Sequence, residues 1–226
     1  FTITPATTTG SNNELIATTG TNFTWSALST SQKAALQLPA ETTNAAAQLR
    51  LNFLRGDRSL EVTTDDRTKP FRQRGSRLGD IVNSDPQFIH KQDFGYSRLS
   101  WSSGSAGSAY TAFRTSTAYQ NRTPLVVVGA NDGMLHGFDA SVGTTNGGDE
   151  LFAYVPNSVY SNLASLSDPA YSHRYFVDGT PRVSDAYIGS TWKTLAVGTT
   201  GAGGKSVFAL DITNPSSMNS SKVMWE

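Results

Sequence analysis

Histidines are the side chains of this chain best suited to bind a transition metal or to transfer a proton near neutral pH. There are three, His90, His136 and His173, and cysteine, the other common zinc ligand, is absent. Either role needs two or more histidines to converge with carboxylates. His136 lies between apolar residues of a predicted strand, which favours a core histidine hydrogen-bonded to the backbone. The chain also lacks a G-x-S-x-G nucleophile motif, so we predict no catalytic residue and no metal site in it.

Acidic and amide oxygens cluster in the short loop Asn131-Asp132-Gly133, and Asp139 follows at the end of the next strand. Such oxygens are the ligands that a hard cation prefers, but the acidic residues do not occupy the alternate loop positions of an EF-hand-like site. Asn, Asp and Gly tolerate the positive φ angles of tight turns. We therefore interpret the loop as the turn of a β-hairpin, and Asp139 as a cap at the end of its second strand.

The tripeptide Arg55-Gly56-Asp57 has the sequence of an integrin-type adhesive motif. The same residues are typical of a helix stop, because glycine is favoured in the left-handed conformation just after a helix C-terminus. Both interpretations stay open here, and Arg55, Gly56 and Asp57 are the predicted binding residues.

Two helices are expected to position this tripeptide. Ser29 or Thr30 is a suitable N-cap for a first helix that ends at Leu36. A second helix is predicted from Ala45 to Leu54, with Gly56 just beyond its end. Its predicted buried stripe, set by helical spacing, consists of Ala46, Leu49 and Phe53.

An internal repeat organises the second half of the chain. Residues Val127 to Asp139 contain an apolar run that ends in glycine, a loop, and a strand that ends in aspartate, and Ala196 to Asp211 repeat this order. After similar gaps, each unit has an outer aromatic strand, at Leu151-Phe152 and Met224-Trp225. Such a unit is a propeller blade, which buries its faces only by stacking on neighbouring blades. We predict an all-β, quinoprotein-like β-propeller segment with helical insertions, an incomplete part of a larger propeller.

This interpretation divides the chain into two parts. Residues 1–24 are predicted to be linker or edge strands that enter the domain. Residues 25–226 are predicted to be the first part of the propeller domain, about two blades with a helical insert at 29–77. No signal-peptide pattern is found, and both ends look cut, so we expect the chain to belong to a longer protein.

The composition argues against two classes of partner. Eighteen Lys and Arg balance eighteen Asp and Glu, so the formal net charge is zero. A binder of nucleic acid or of an anionic membrane surface would show a basic excess. No apolar run approaches the roughly 18 residues that a spanning helix needs. We therefore predict neither nucleic-acid binding nor a membrane span in this segment.

An ordered series of motifs resembles the propeller of the type IV pilus biogenesis and tip-adhesin family (PilC/PilY type). The motifs are RGSRLGDIVNSDP, VVVGANDGMLHGFDA, LFAYVPNSV, YSHRYFVDGTPRVSDAY and GTTGAGGKSVFALDIT. LRGDRS at Leu54–Ser59 is similar to that family's entry into the domain. The resemblance covers roughly Trp25 to Glu226.

This resemblance implies a non-enzymatic, exported protein of a Gram-negative bacterium, located at the pilus tip, the outer-membrane surface or the periplasm. It implies support of pilus assembly, opposition to retraction, twitching motility and adhesion. The implied partners are minor pilins at the pilus tip and a host-cell receptor. The family's Asp-rich calcium loop has no counterpart here, so any calcium is expected elsewhere in the longer protein.

Two alternative functions stay open. Quinoprotein dehydrogenases also have propeller blades with a G-x-x-D-G hairpin and a terminal tryptophan, which makes a fragment of such an enzyme one alternative. The other is a glycan-binding propeller. Its candidate platform residues are Trp101, Trp192 and Trp225.

Overall fold

The computed structural model describes residues 1–4, 20–99 and 106–226. Most of the predicted linker or edge strands, at residues 5–19, and the candidate platform residue Trp101 lie outside these ranges. Strands β1 (Thr2–Ile3) and β2 (Gly20–Thr21) form a short antiparallel pair. The other strands of the described residues form two four-stranded antiparallel sheets.

The first sheet has the strand order β3-β4-β5-β6. Its strands are β3 (Gln87–Ile89), β4 (Leu125–Ala130), β5 (Met134–Asp139) and β6 (Glu150–Tyr154). β1 lies beside the end of β6, where the Val155 N–H donates to the Phe1 carbonyl at 2.9 Å. The predicted hairpin is the central pair of this sheet.

The second sheet repeats this order as β7-β8-β9-β10. Its strands are β7 (Arg182–Ile188), β8 (Thr191–Thr199), β9 (Val207–Asp211) and β10 (Val223–Trp225). Neither of these two described sheets closes on itself. Two successive four-stranded meanders are the arrangement of adjacent propeller blades, consistent with a partial propeller.

The aspartate that ends the third strand of each sheet has the same local role. Asp139 accepts a hydrogen bond from the Ser141 N–H at 2.7 Å. Asp211 accepts one from the Thr213 N–H at 3.1 Å. The predicted strand-end cap is confirmed at Asp139, and Asp211 repeats it, because a carboxylate can bond to the backbone two residues on.

The two sheets pack through one hydrophobic core. Tyr154 of β6 meets Phe208 of β9, with ring centroids 4.9 Å apart. Gly129 of β4 lies very close to the segment that precedes β7. A Cβ atom added to Gly129 would be 2.3 Å from the Val177 carbonyl oxygen. This close approach explains why the first apolar run ends in glycine.

Helices α1 (Thr30–Ala35) and α2 (Asn44–Leu54) confirm the two predicted helices. Ser29 caps α1, accepting a hydrogen bond from the Gln32 N–H at 3.2 Å. The predicted buried stripe of α2 is wrong at Leu49, which is 43% exposed, and at the half-buried Ala46. The buried residues of α2 are Ala47, Arg50, Leu51, Phe53 and Leu54.

Burial of Arg50 explains why the buried face of α2 differs from the predicted one. Its guanidinium donates to the Glu41 carboxylate at 2.6 Å and to the Ser167 hydroxyl at 2.8 Å. A charged side chain is buried only when it is paired in this way. Its burial turns Leu49 toward solvent.

The described residues form three further α-helices, α3 (Ala106–Thr115), α4 (Thr117–Gln120) and α5 (Tyr160–Leu163), which connect or flank the sheets. α4 is separate from α3, because the Ser116 hydroxyl accepts the Tyr119 N–H at 3.3 Å and caps a new helix. No helix in the described part of the chain is long and apolar enough to cross a bilayer.

Candidate interaction site beside the first hairpin

Arg55-Gly56-Asp57 forms the end of α2, as predicted for a helix stop. Gly56 has a φ of +102°, in the left-handed region that glycine adopts without steric cost. The Gly56 N–H donates to the Phe53 carbonyl at 2.9 Å, and the Asp57 N–H donates to the Asn52 carbonyl at 3.0 Å. These are the two hydrogen bonds of a Schellman motif. The motif holds the backbone in one conformation and leaves the Arg55 and Asp57 side chains exposed.

Two arginines from the following segment hold the carbonyl groups of the tripeptide. Arg77 Nε donates to the Gly56 carbonyl at 2.9 Å, and Arg74 donates to the Asp57 carbonyl at 2.9 Å. Arg74 is buried and pairs with Glu61 at 2.7 Å. Burial alone would raise the pKa of Glu61, but hydrogen bonds from Arg74 outweigh it and lower that pKa. The backbone of the tripeptide is therefore held by an arginine that belongs to a buried ion pair.

The turn of the first hairpin forms hydrogen bonds to two segments that are distant in the sequence, at Asp80 and at Phe176. Gly133 has a φ of +95°, which confirms the predicted turn chemistry. Buried Asn131 donates from its side chain to the Asp80 carboxylate at 3.0 Å and accepts from the Phe176 N–H at 3.0 Å. Asn131 thereby fixes the segment before β7, since residues 175–177 lie outside the strands.

His136 is buried on β5, but its hydrogen-bond partners are carboxylates and not the expected backbone groups. Nδ1 lies 2.6 Å from Glu150, and Nε2 lies 3.1 Å from both carboxylate oxygens of Asp132. Burial alone would lower the pKa of His136, but hydrogen bonds and charges of Asp132 and Glu150 raise it to about 9. Asp132, His136 and Glu150, which we name the His136 cluster, thus contain a cation at neutral pH.

A cleft of about 660 Å³ separates the His136 cluster from the end of α2. Arg55, Gly56 and Arg77 contribute to its lining from the helix side, and Phe138 contributes from the hairpin. The structure therefore brings the predicted residues Arg55 and Gly56 together with the hairpin residues, which the sequence did not connect. We call this feature the Arg55 cleft.

The other two histidines have partners of their own. His173 lies 2.8 Å from Asp80, with both side chains about half exposed. The His90 backbone N–H donates to Gln92 at 2.6 Å. Across residues 1–4, 20–99 and 106–226, no group of three or more His, Cys, Asp or Glu side chains is arranged to hold a metal ion.

The described tryptophans of the candidate glycan platform differ in exposure. Trp192 is only 8% exposed and lies in an aromatic cluster with Tyr96 and Tyr110, at centroid distances of 5.4 and 4.5 Å. Trp225 on β10 is 42% exposed. Trp192 therefore belongs to the interior and does not form a stacking surface.

Paired four-stranded meanders with matching Asp-ended strands define this chain as part of a β-propeller. Comparison with known proteins agrees, because the family model of the PilY1 beta-propeller domain matches residues 78–226. The chain belongs to this PilY1 family, which confirms the resemblance drawn from its motifs.

Similar proteins are named as type IV pilus biogenesis factors. A PilY1 homolog from Xylella fastidiosa is 44% identical over 177 residues, covering 78% of this chain and 12% of that protein. PilY1 from Pseudomonas aeruginosa strain PAK is 40% identical over 210 residues, covering 90% of this chain and 16% of that protein. The chain thus spans less than a fifth of the length of these relatives.

One solved structure is also similar. The crystal structure of the Pseudomonas aeruginosa PilY1 C-terminal domain matches with 42% sequence identity, over 51% of this chain and 20% of that one, at a TM-score of 0.38. The assignment to the family rests on the family model and the sequence relatives.

Proposed function

We propose that this chain is the first part of a non-enzymatic propeller domain in an exported protein that supports type IV pilus assembly, opposes pilus retraction and so sustains twitching motility. The match to the PilY1 propeller over residues 78–226 carries this proposal. The names of the relatives, which are type IV pilus biogenesis factors, support it.

The proposal includes location and partners. The longer protein acts at the pilus tip, the outer-membrane surface or the periplasm of a Gram-negative bacterium. Minor pilins at the pilus tip are its proposed partners, with a host-cell receptor as a second one. Calcium, where the longer protein binds it, is proposed to lie outside this chain.

Deletion of the gene in its source bacterium tests the role in the pilus. We expect the deletion strain to have few surface pili by electron microscopy and to form no twitching zone. The full-length protein should restore piliation and twitching, and a version that lacks residues 78–226 should restore neither. Removal of the retraction motor is expected to restore surface pili to the deletion strain. Normal piliation and twitching in the deletion strain would contradict the proposal.

Adhesion through Arg55-Gly56-Asp57 is a separate part of the proposal. The Asp57 carboxylate accepts the Ser59 N–H at 2.8 Å, and hydrogen bonds from Ser59 lower its pKa. An exposed, ionised carboxylate on a fixed backbone suits an adhesive contact, since pre-organised groups lose little entropy on binding. In the full-length protein, Asp57→Ala is expected to reduce attachment to cultured host cells at least about tenfold.

Asp66→Ala is the matched control for this experiment. Asp66 also accepts an N–H from two residues on, that of Thr68 at 3.0 Å, but it is not part of the tripeptide. Asp57→Glu keeps the charge and moves it outward, so it is expected to weaken attachment as well. Attachment by Asp57→Ala equal to that of the Asp66→Ala control would rule out the adhesive role.

A further inference from the structure

The Arg55 cleft has two cationic groups with free hydrogen-bonding capacity on one wall. The Arg55 guanidinium makes no hydrogen bond or ion pair with residues that the structure describes, although it lines the cleft. Arg77 uses Nε for the Gly56 carbonyl, and its two terminal nitrogens have no partner in the described part of the chain. Two guanidinium groups beside one cavity are suited to a carboxylate, which arginine binds in a bidentate manner.

The opposite wall limits how much negative charge the cleft accepts. The carboxylates of Asp132 and Glu150 flank His136, which is charged at neutral pH. Among the side chains that line the cleft, three positive charges, on Arg55, Arg77 and His136, face two negative ones, so the side chains leave one net positive charge. The Glu150 side chain is 49% exposed and would repel a second anionic group. The cleft therefore suits a ligand with an isolated carboxylate, and not a polyanion such as nucleic acid.

Apolar side chains form part of the lining between these walls. Met134 is buried and Phe138 is half-buried, and the Phe138 ring stacks on the His136 imidazole with centroids 5.8 Å apart. Ala153 and Val155 continue this surface on the β6 side. A volume of about 660 Å³ is much larger than a single carboxylate needs and is within the usual range of ligand pockets. The ligand should thus present an apolar side chain next to its carboxylate.

We propose that the Arg55 cleft binds an acidic peptide segment in which a glutamate or aspartate is adjacent to an aromatic or aliphatic side chain. The carboxylate pairs with Arg55 and Arg77, and the apolar side chain lies on Met134 and Phe138. This site uses Arg55 together with the hairpin, and not together with Asp57. It shares Arg55 and Gly56 with the proposed adhesive tripeptide but does not use Asp57, and it does not depend on the role in pilus assembly.

Fluorescence anisotropy with the 226-residue chain tests this site. The probe is a fluorescein-labelled peptide of sequence Gly-Phe-Glu-Phe-Gly with a C-terminal amide, and the matched control peptide has Gln in place of Glu. Arg55→Gln is expected to weaken binding of the Glu probe about tenfold, which is the usual effect of losing one charge-assisted hydrogen bond. Arg77→Gln is expected to weaken it similarly.

Arg67→Gln is the control for a general loss of positive charge, because Arg67 is exposed and lies outside the cleft. Thermal melts establish that each variant is folded, and Arg55→Gln removes no described contact. The proposal is overturned by equal binding of the Glu and Gln peptides, by equal affinity of Arg55→Gln and the unmodified chain, or by no binding at all. Loss of binding in Arg67→Gln to the same extent would also reject it.

Discussion

Replacement of Arg74 by methionine is expected to lower the free energy of unfolding by about 3–5 kcal/mol, the usual cost of breaking a buried ion pair by removing one partner. Arg74 donates to Glu61 at 2.7 Å, to the Phe53 carbonyl at 2.8 Å and to the Asp57 carbonyl at 2.9 Å. Its guanidinium also lies 3.7 Å from the centre of the Phe53 ring. Methionine keeps much of the side-chain volume and removes all three hydrogen bonds.

The loss has two physical sources. Glu61 is only 3% exposed, so its carboxylate would remain buried with Arg58 as its one cationic partner. The Asp57 carbonyl would also lose its Arg74 donor, whereas the Phe53 carbonyl keeps the Gly56 N–H. Destabilisation should therefore extend from the Glu61 pair to Arg55-Gly56-Asp57.

Urea unfolding followed by tryptophan fluorescence measures this effect. Arg67→Met is the control, since Arg67 is exposed, and a change within about 0.5 kcal/mol is expected there. The double variant Arg74→Met with Glu61→Leu should recover part of the loss, because it removes the unpaired buried carboxylate. A loss below about 1 kcal/mol for Arg74→Met alone would show that the pair is not the support that the structure indicates.

The second large effect is a loss of stability as the pH rises through the titration of His136. Its pKa is about 9 in the folded chain against an ordinary value of 6.5. The protonated form is the one that Asp132 and Glu150 stabilise, so this contribution is fully present below pH 6.5 and disappears as the pH passes 9. The pKa difference corresponds to roughly 3 kcal/mol, and screening at the half-exposed Glu150 reduces the expected effect to about 2 kcal/mol.

His136→Gln should remove this pH dependence. Below pH 6.5 we expect the variant to be less stable than the unmodified chain, and above 9 the difference should shrink, as measured by urea unfolding. His173→Gln is the control, because the His173–Asp80 pair is about half exposed on both sides and is worth little. A difference between His136→Gln and the unmodified chain that stays constant across this range would contradict the assigned charge state.

Arg55-Gly56-Asp57 contributes to two proposed sites, the adhesive contact and the Arg55 cleft. Arg74 and Arg77 hold its carbonyls, while Arg55 and Asp57 remain exposed. Asp57→Ala tests the adhesive role, and Arg55→Gln tests the cleft. Arg74→Met is expected to affect both, because it removes a support that the whole tripeptide shares.

Features that depend on neighbouring residues were predictable from the sequence. The hairpin turn at Asn131-Asp132-Gly133 follows from the φ angles that Asn, Asp and Gly tolerate. The Asp139 cap follows from the reach of its side chain to the backbone two residues on. The repeat of strands indicated two propeller blades, and both four-stranded sheets are present. The Gly56 helix stop belongs to the same class of local effects.

Side-chain partners far apart in the chain were not predictable in this way. Arg50 was not part of the predicted buried stripe of α2, but it is buried, and Ser167, 117 positions away, gives it a hydrogen-bond partner. His136 was expected to bond to the backbone, yet Glu150 reaches it across a β-bulge between β5 and β6. A bulge shifts the register by one residue, and turn chemistry alone does not reveal it.

The sequence by itself therefore determined the strand repeat, the hairpin turn, the end of α2 and the family. Each of these depends on residue types at short spacing, where the backbone allows few conformations. Only the tertiary structure decided which charges are buried as pairs and that Arg55 faces the His136 cluster across a cleft. Burial of a charge is favourable only when its partner is in place, and that partner is brought near by the packing of the whole chain.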